Sequence, residues 1–140
     1  MPVFLIAYLG ALLGLLVLDA VWLGVVMGPV YTAALGELLL PEPRWGAAAV
    51  FYLAYPVGIV VFAVLPAWRE AAPRRALALG ALYGALAYAT YDLTNLATLK
   101  GWPLHIVVID IAWGAVLSAA AAASGLWALR RFCGPRPLPA

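Results

Sequence analysis

Three aspartates, Asp19, Asp92 and Asp110, each interrupt a long apolar run of this chain. An ionisable side chain at the centre of a membrane-spanning helix costs about 2.5–3.5 kcal/mol on the insertion scale. Carboxyl groups kept at that cost can pass protons, neutralise a cation, or work as an acid and a base whose pKa values are pushed apart by coupling. Asp92 lies in the richest polar stretch, Tyr91-Asp92-Leu93-Thr94-Asn95. Helical spacing groups Tyr88, Asp92 and Asn95 on one face, with Tyr91 and Thr94 beside it. Trp22 and Trp113 each stand three residues after an aspartate, and an indole N–H at that depth seeks an acceptor. Tyr52 and Tyr55 precede Pro56, and His105 stands five residues before Asp110. The candidate acid/base or proton/cation residues are thus Asp92, Asp110 and Asp19. The candidate lining is Asn95, Tyr91, Thr94, Trp22, Trp113, Tyr55 and His105.

The elements that carry these residues follow from composition and periodicity. Of the 140 residues 67% are apolar and 10% charged, against about 45–50% and about 25% in soluble domains. A soluble fold of this size could not bury that much apolar surface, so the solvent expected is lipid. Spans are predicted at about 3–27, 45–68, 76–99 and 104–129, giving an all-α bundle of four transmembrane helices in one membrane domain, 1–140. Gly28-Pro29 should end the first span, because proline cannot continue the hydrogen-bond ladder. Segment 30–40 is too short to cross and reads as a helix on the membrane surface. Pro56 should kink the second span and free a backbone carbonyl. Segment 69–75 reads as a basic loop, and 130–140 as an irregular basic tail.

Charge sets the orientation. Arg69, Arg74, Arg75, Arg130, Arg131 and Arg136 fall on one side of the spans, Arg44 and Lys100 on the other. The positive-inside rule then puts both termini in the cytoplasm of an inner-membrane protein. The apolar run at the N-terminus lacks a basic leader and is longer than a signal peptide's core, so it is expected to be retained. Counting from the outer helix ends, each aspartate lies about 9–12 Å deep, so the three should share one layer in the outer half of the bilayer. No Lys or Arg falls within the spans, which leaves protonation, a bound cation, or Tyr, Asn, His and Trp donors to stabilise that layer.

Other chemistries are excluded. The net charge of +2 and the scattered arginines do not suggest nucleic acid. The single cysteine, Cys133, rules out an internal disulfide or CxxC redox pair. There is no phosphate loop, no His-Glu-x-x-His and no Ser-His-Asp set. No metal site is assigned, although oxygen ligands at Asp19, Asp92, Asp110 and Asn95 would suit a hard cation. No cofactor is required. Asp-x-x-Trp occurs twice, at Asp19/Trp22 and Asp110/Trp113, but on helices of opposite direction, and is taken as coincidence. Gly10/Gly14, Gly24/Gly28 and Gly80/Gly84 have the spacing that allows close helix approach.

The ordered set Leu18-Asp19-Ala20-Val21-Trp22-Leu23-Gly24, Tyr31, Tyr91-Asp92-Leu93-Thr94-Asn95 and Asp110-Ile111-Ala112-Trp113-Gly114 resembles the uncharacterised bacterial membrane-protein family catalogued as domain of unknown function 2177. The resemblance covers nearly the whole chain and implies a small four-span inner-membrane protein. It carries over no activity. Three functions fit the residues: binding or modification of a lipid or other hydrophobic small molecule, a proton- or cation-coupled transporter working as a homo-oligomer, and a structural or assembly protein whose polar contacts are interhelical glue. All three take the lipid bilayer as partner.

Overall fold

The computed structural model describes residues 2–134, and they are all-helical. Four helical rods follow in order: α1 (Val3–Leu38), α2 (Trp45–Arg69), α3 (Pro73–Thr98) and α4 (Leu104–Cys133). By length and composition α1, α2 and α4 can each cross a membrane. The 26 residues of α3 would extend about 39 Å, but its arginines, tyrosines, threonines and Asp92 make it the most polar of the four.

The first rod departs from expectation. It does not stop at Gly28-Pro29. The α-helix Val3–Val21 passes into a π-helical stretch, Trp22–Met27, then resumes as α-helix over Gly28–Leu35 and ends in a 3₁₀ turn, Gly36–Leu38. Proline is tolerated in a first helical turn, where its missing N–H would have no α-helical acceptor, and Pro29 sits there, directly after the π stretch. Gly28 is needed at this point, because a Cβ would come within 2.8 Å of the Leu23 carbonyl oxygen. A straight α1 of 36 residues would measure about 54 Å, well beyond a hydrocarbon core of about 30 Å. Its distal arm, Gly28–Leu35, is therefore continuous with the rod where a separate surface helix was expected.

Two smaller corrections concern the basic segments. The expected loop at 69–75 shrinks, since Pro73 opens α3 from its first turn and takes Arg74 and Arg75 into the helix. Ala71 turns the chain with a φ of 53°. The tail also starts later, because α4 runs on through Arg130 and Arg131 to Cys133. Those arginines suit the negative end of the helix dipole. The rest of the expected tail, 135–140, lies outside the described residues.

The bundle is organised on α4, which packs between α1 and α3. Both pairings are antiparallel: Gly10 meets Ala128 and Gly14 meets Ser124, while Gly80 meets Ser118 and Gly84 meets Gly114. A Cβ at Gly84 would overlap the Gly114 carbonyl, and one at Gly14 would come within 2.5 Å of Ser124 Oγ. The backbones are thus in direct contact, which is how helices associate where lipid removes the hydrophobic driving force. The helix α2 closes the bundle through its own π stretch, Val60–Val64, whose Val60, Ala63 and Val64 are buried. Upstream, Pro56 leaves the Tyr52 carbonyl without its α-helical donor. The Tyr8 hydroxyl donates to the adjacent carbonyl, Leu53, at 2.9 Å.

Candidate functional site

At one end of the bundle the tight packing gives way to a cavity of about 540 Å³. It lies among the far part of α1, the start of α2, the end of α3 and the start of α4. Two of its walls carry carboxylates. Asp19 is 5% exposed and both its oxygens are bonded: the Tyr52 hydroxyl donates to Oδ2 at 2.5 Å and the Trp113 indole N–H to Oδ1 at 3.1 Å. Asp110, on α4, is 8% exposed and accepts from the Tyr31 hydroxyl at Oδ1. The Tyr31 oxygen in turn accepts from the Trp22 indole N–H at 3.4 Å.

Between the carboxylates the two indoles stack. The rings of Trp22 and Trp113 are 4.1 Å apart and tilted by 5°. Each tryptophan reaches toward the aspartate of the opposite helix, Trp113 directly and Trp22 through Tyr31. The repeated Asp-x-x-Trp, taken as coincidence in the sequence, is therefore one crossed unit formed by two antiparallel helices.

The bend in α1 is what makes this possible. In a straight α-helix residues nine apart lie on opposite faces and about 13 Å apart along the axis. Trp22 and Tyr31 nonetheless share a hydrogen bond. The π stretch between them shifts the register, and Met27, at its end, has a φ of −104° and a ψ of −12°. The distal arm is thereby turned so that Tyr31 reaches across to α4.

Residues 4–127 match the family described as "Predicted membrane protein (DUF2177)". The chain belongs to this family. No curated protein and no solved structure matches it.

In this DUF2177 protein the residues picked out by sequence divide into three groups. Asp19, Asp110, Trp22, Trp113, Tyr55 and Tyr91 line the cavity. Tyr55 is nearly buried, and its hydroxyl pairs with that of Ser118 at 2.8 Å. Asp92 is fully buried and does not line the cavity. Neither of its oxygens has a hydrogen-bond partner; the Trp102 indole N–H lies beside it and is likewise unbonded. Buried polar atoms are rarely left so, and a small approach of Trp102 would satisfy both groups. Trp102 itself borders the cavity and meets Tyr91 edge-on at 5.7 Å.

The third group lies elsewhere. Thr94 is exposed and its hydroxyl folds back on the carbonyls of Thr90 and Tyr91. Asn95 is half-buried but outside the lining, as is His105, which is exposed beside Val30 and Ala34 of the distal arm. Among the described residues no three His, Cys, Asp or Glu side chains converge as a metal site. The aspartates are thus a cavity pair plus one sealed neighbour.

Sequence reasoning missed Tyr31, which falls on the segment read as a surface helix, and Trp102, which falls between the third and fourth expected spans. Tyr52 had been noted before Pro56 but not as a carboxylate partner. The usable signal was Gly28-Pro29, which marks a change of direction within a rod as well as it marks an end.

Proposed function

We propose that this DUF2177 protein is a four-span inner-membrane protein that binds a lipid or other hydrophobic small molecule in the cavity beside Asp19 and Asp110. The observation that carries this reading is the cavity itself. Its volume of about 540 Å³ lies in the range of ligand pockets, about 300–1,000 Å³, and it combines apolar walls with a few fixed polar groups as such pockets do. Leu23 and Phe51 at its rim are surface-exposed, 44% and 38%, which suits entry of a hydrocarbon from the side.

The positive-inside rule supports an outward-facing site with cytoplasmic termini. The cavity end carries Arg44 and Lys100, the opposite end Arg69, Arg74, Arg75, Arg130 and Arg131. In this reading α3 is the fourth span. The two carboxylates have different tasks. Asp19, with both oxygens occupied, positions Tyr52 and Trp113. Asp110, bonded through one oxygen, is the group that meets the ligand. A site at one end of the bundle fits binding from one leaflet better than alternating access, which favours the midplane.

Native mass spectrometry of protein released from its own membranes tests the reading. Ala87→Phe fills the cavity from an apolar wall without touching any hydrogen bond of the carboxylates. The wild-type protein is expected to carry a hydrophobic small molecule and the variant, folded, to have lost it. Equal occupancy in both proteins would contradict the proposal.

A further inference from the structure

The chemistry of the cavity narrows the ligand. Among the described residues no Lys, Arg or His lines it. The ion pair between Arg75 and Glu70 is at the other end of the bundle and exposed. Two carboxyl groups therefore face one small space with no positive partner. Asp19 is saturated by Tyr52 and Trp113. Asp110 is not: it is more than nine-tenths buried, Tyr31 occupies Oδ1, and Oδ2 has no hydrogen-bond partner. Asp110 itself lines the cavity.

The walls point the same way. Nine of the fourteen lining residues are aromatic, more than hydrophobic lining alone requires. Aromatic faces attract cations through the ring quadrupole, and cages of such rings recognise organic ammonium groups.

We propose that the cavity takes the head group of a cationic amphiphile, an organic ammonium carried on a hydrocarbon chain, with Asp110 as its counter-ion and the surrounding tyrosines and tryptophans as its cage. This rests on the reading of the cavity as a site for a hydrophobic ligand and adds the charge of that ligand. The hydrocarbon leaves past Leu23 and Phe51. A bare inorganic cation fits less well, since hard cations need several converging oxygen ligands and the described residues offer no such group. An anionic head group would meet two carboxylates and no base. A neutral one would leave Asp110 to take up a proton, since an unpaired buried charge is costly, and would draw nothing from the ring quadrupoles of the cage.

The test uses the whole protein in lipid nanodiscs, titrated with three probes of equal chain length while tryptophan fluorescence is followed. The probes are dodecyltrimethylammonium, dodecyl sulfate and the neutral dodecyl maltoside. Dodecyltrimethylammonium is expected to bind about tenfold or more tightly than either of the others. Asp110→Asn should abolish that preference. Because this variant could misfold, its circular dichroism and its affinity for dodecyl maltoside are measured as well: both should match wild type, since only the charge is lost. Equal affinity of the wild-type protein for the neutral and cationic probes, or tighter binding of dodecyl sulfate, overturns the proposal and leaves the hydrophobic-ligand reading standing. Survival of the preference in folded Asp110→Asn overturns the role of Asp110 as counter-ion. Binding of none of the three overturns both readings.

Discussion

Along a single helix pair, α1 and α4, Gly10 and Gly14 meet Ala128 and Ser124 with almost no space between backbones, while about two turns beyond Gly14 the same helices carry stacked indoles and border a cavity of about 540 Å³. The first region is built from side chains too small to hold helices apart. The second is built from Asp, Trp and Tyr, whose bulk and hydrogen bonds keep a space open. Van der Waals contact between backbones already gives α1, α3 and α4 a means of association. In the proposed reading the polar layer is then not required as the glue of the bundle, and the contrast puts stability mainly at one end and recognition mainly at the other.

Substitutions at the tight backbone contacts should have the largest effects on stability. Gly84→Leu drives a side chain into the Gly114 carbonyl and is expected to cost about 3 kcal/mol or more, the upper range for overpacking, seen as lost folding or a collapsed unfolding temperature in micelles. A stable Gly84→Leu protein would break the comparison outright. Gly14→Ala, with its Cβ within 2.5 Å of Ser124 Oγ, should cost about 1–3 kcal/mol in the same measurement.

At the cavity end the effects on stability should shrink. Tyr52→Phe removes one of the two bonds to Asp19 and should cost about 0.6 kcal/mol, the average for an interhelical hydrogen bond in a membrane. A loss matching that of Gly14→Ala would mean that the polar layer holds the bundle together after all. Gly24→Ala has nothing within 4 Å of the added methyl and should stay within about 0.5 kcal/mol of wild type. It separates a glycine that packs from one that merely shares the spacing. His105→Ala should be the mildest for ligand binding, since His105 is exposed and outside the cavity lining.

The helical class was legible because hydropathy runs mark directly which stretches are long and apolar enough to cross a membrane. Direction around a bend is another matter. The π stretch Trp22–Met27 has no composition of its own, so the turn of the arm that brings Tyr31 to Asp110 was not visible. The partition of the aspartates was also hidden. Asp92 and Asp110 fall on helices that pack together, yet Asp92 is sealed while Asp110 lines a space, and what differs is the neighbour on another element. Trp102, which falls between the third and fourth expected spans, supplies that neighbour. Spacing did single out Gly84 and Gly14, but equally Gly24, which packs on nothing; only the partner helix tells them apart.

The central claim is that the aromatic and acidic end of the bundle is the ligand site. It is tested most directly by locating a bound head group: nuclear Overhauser effects from ¹³C-labelled N-methyl groups of dodecyltrimethylammonium, with the protein held in a nanodisc. The account predicts contacts to the indole protons of Trp22 and Trp113 and to the ring of Tyr52. Contacts confined to the exposed Trp45 and Trp127, 73% and 65% accessible, would place the molecule on the outside of the bundle and contradict it.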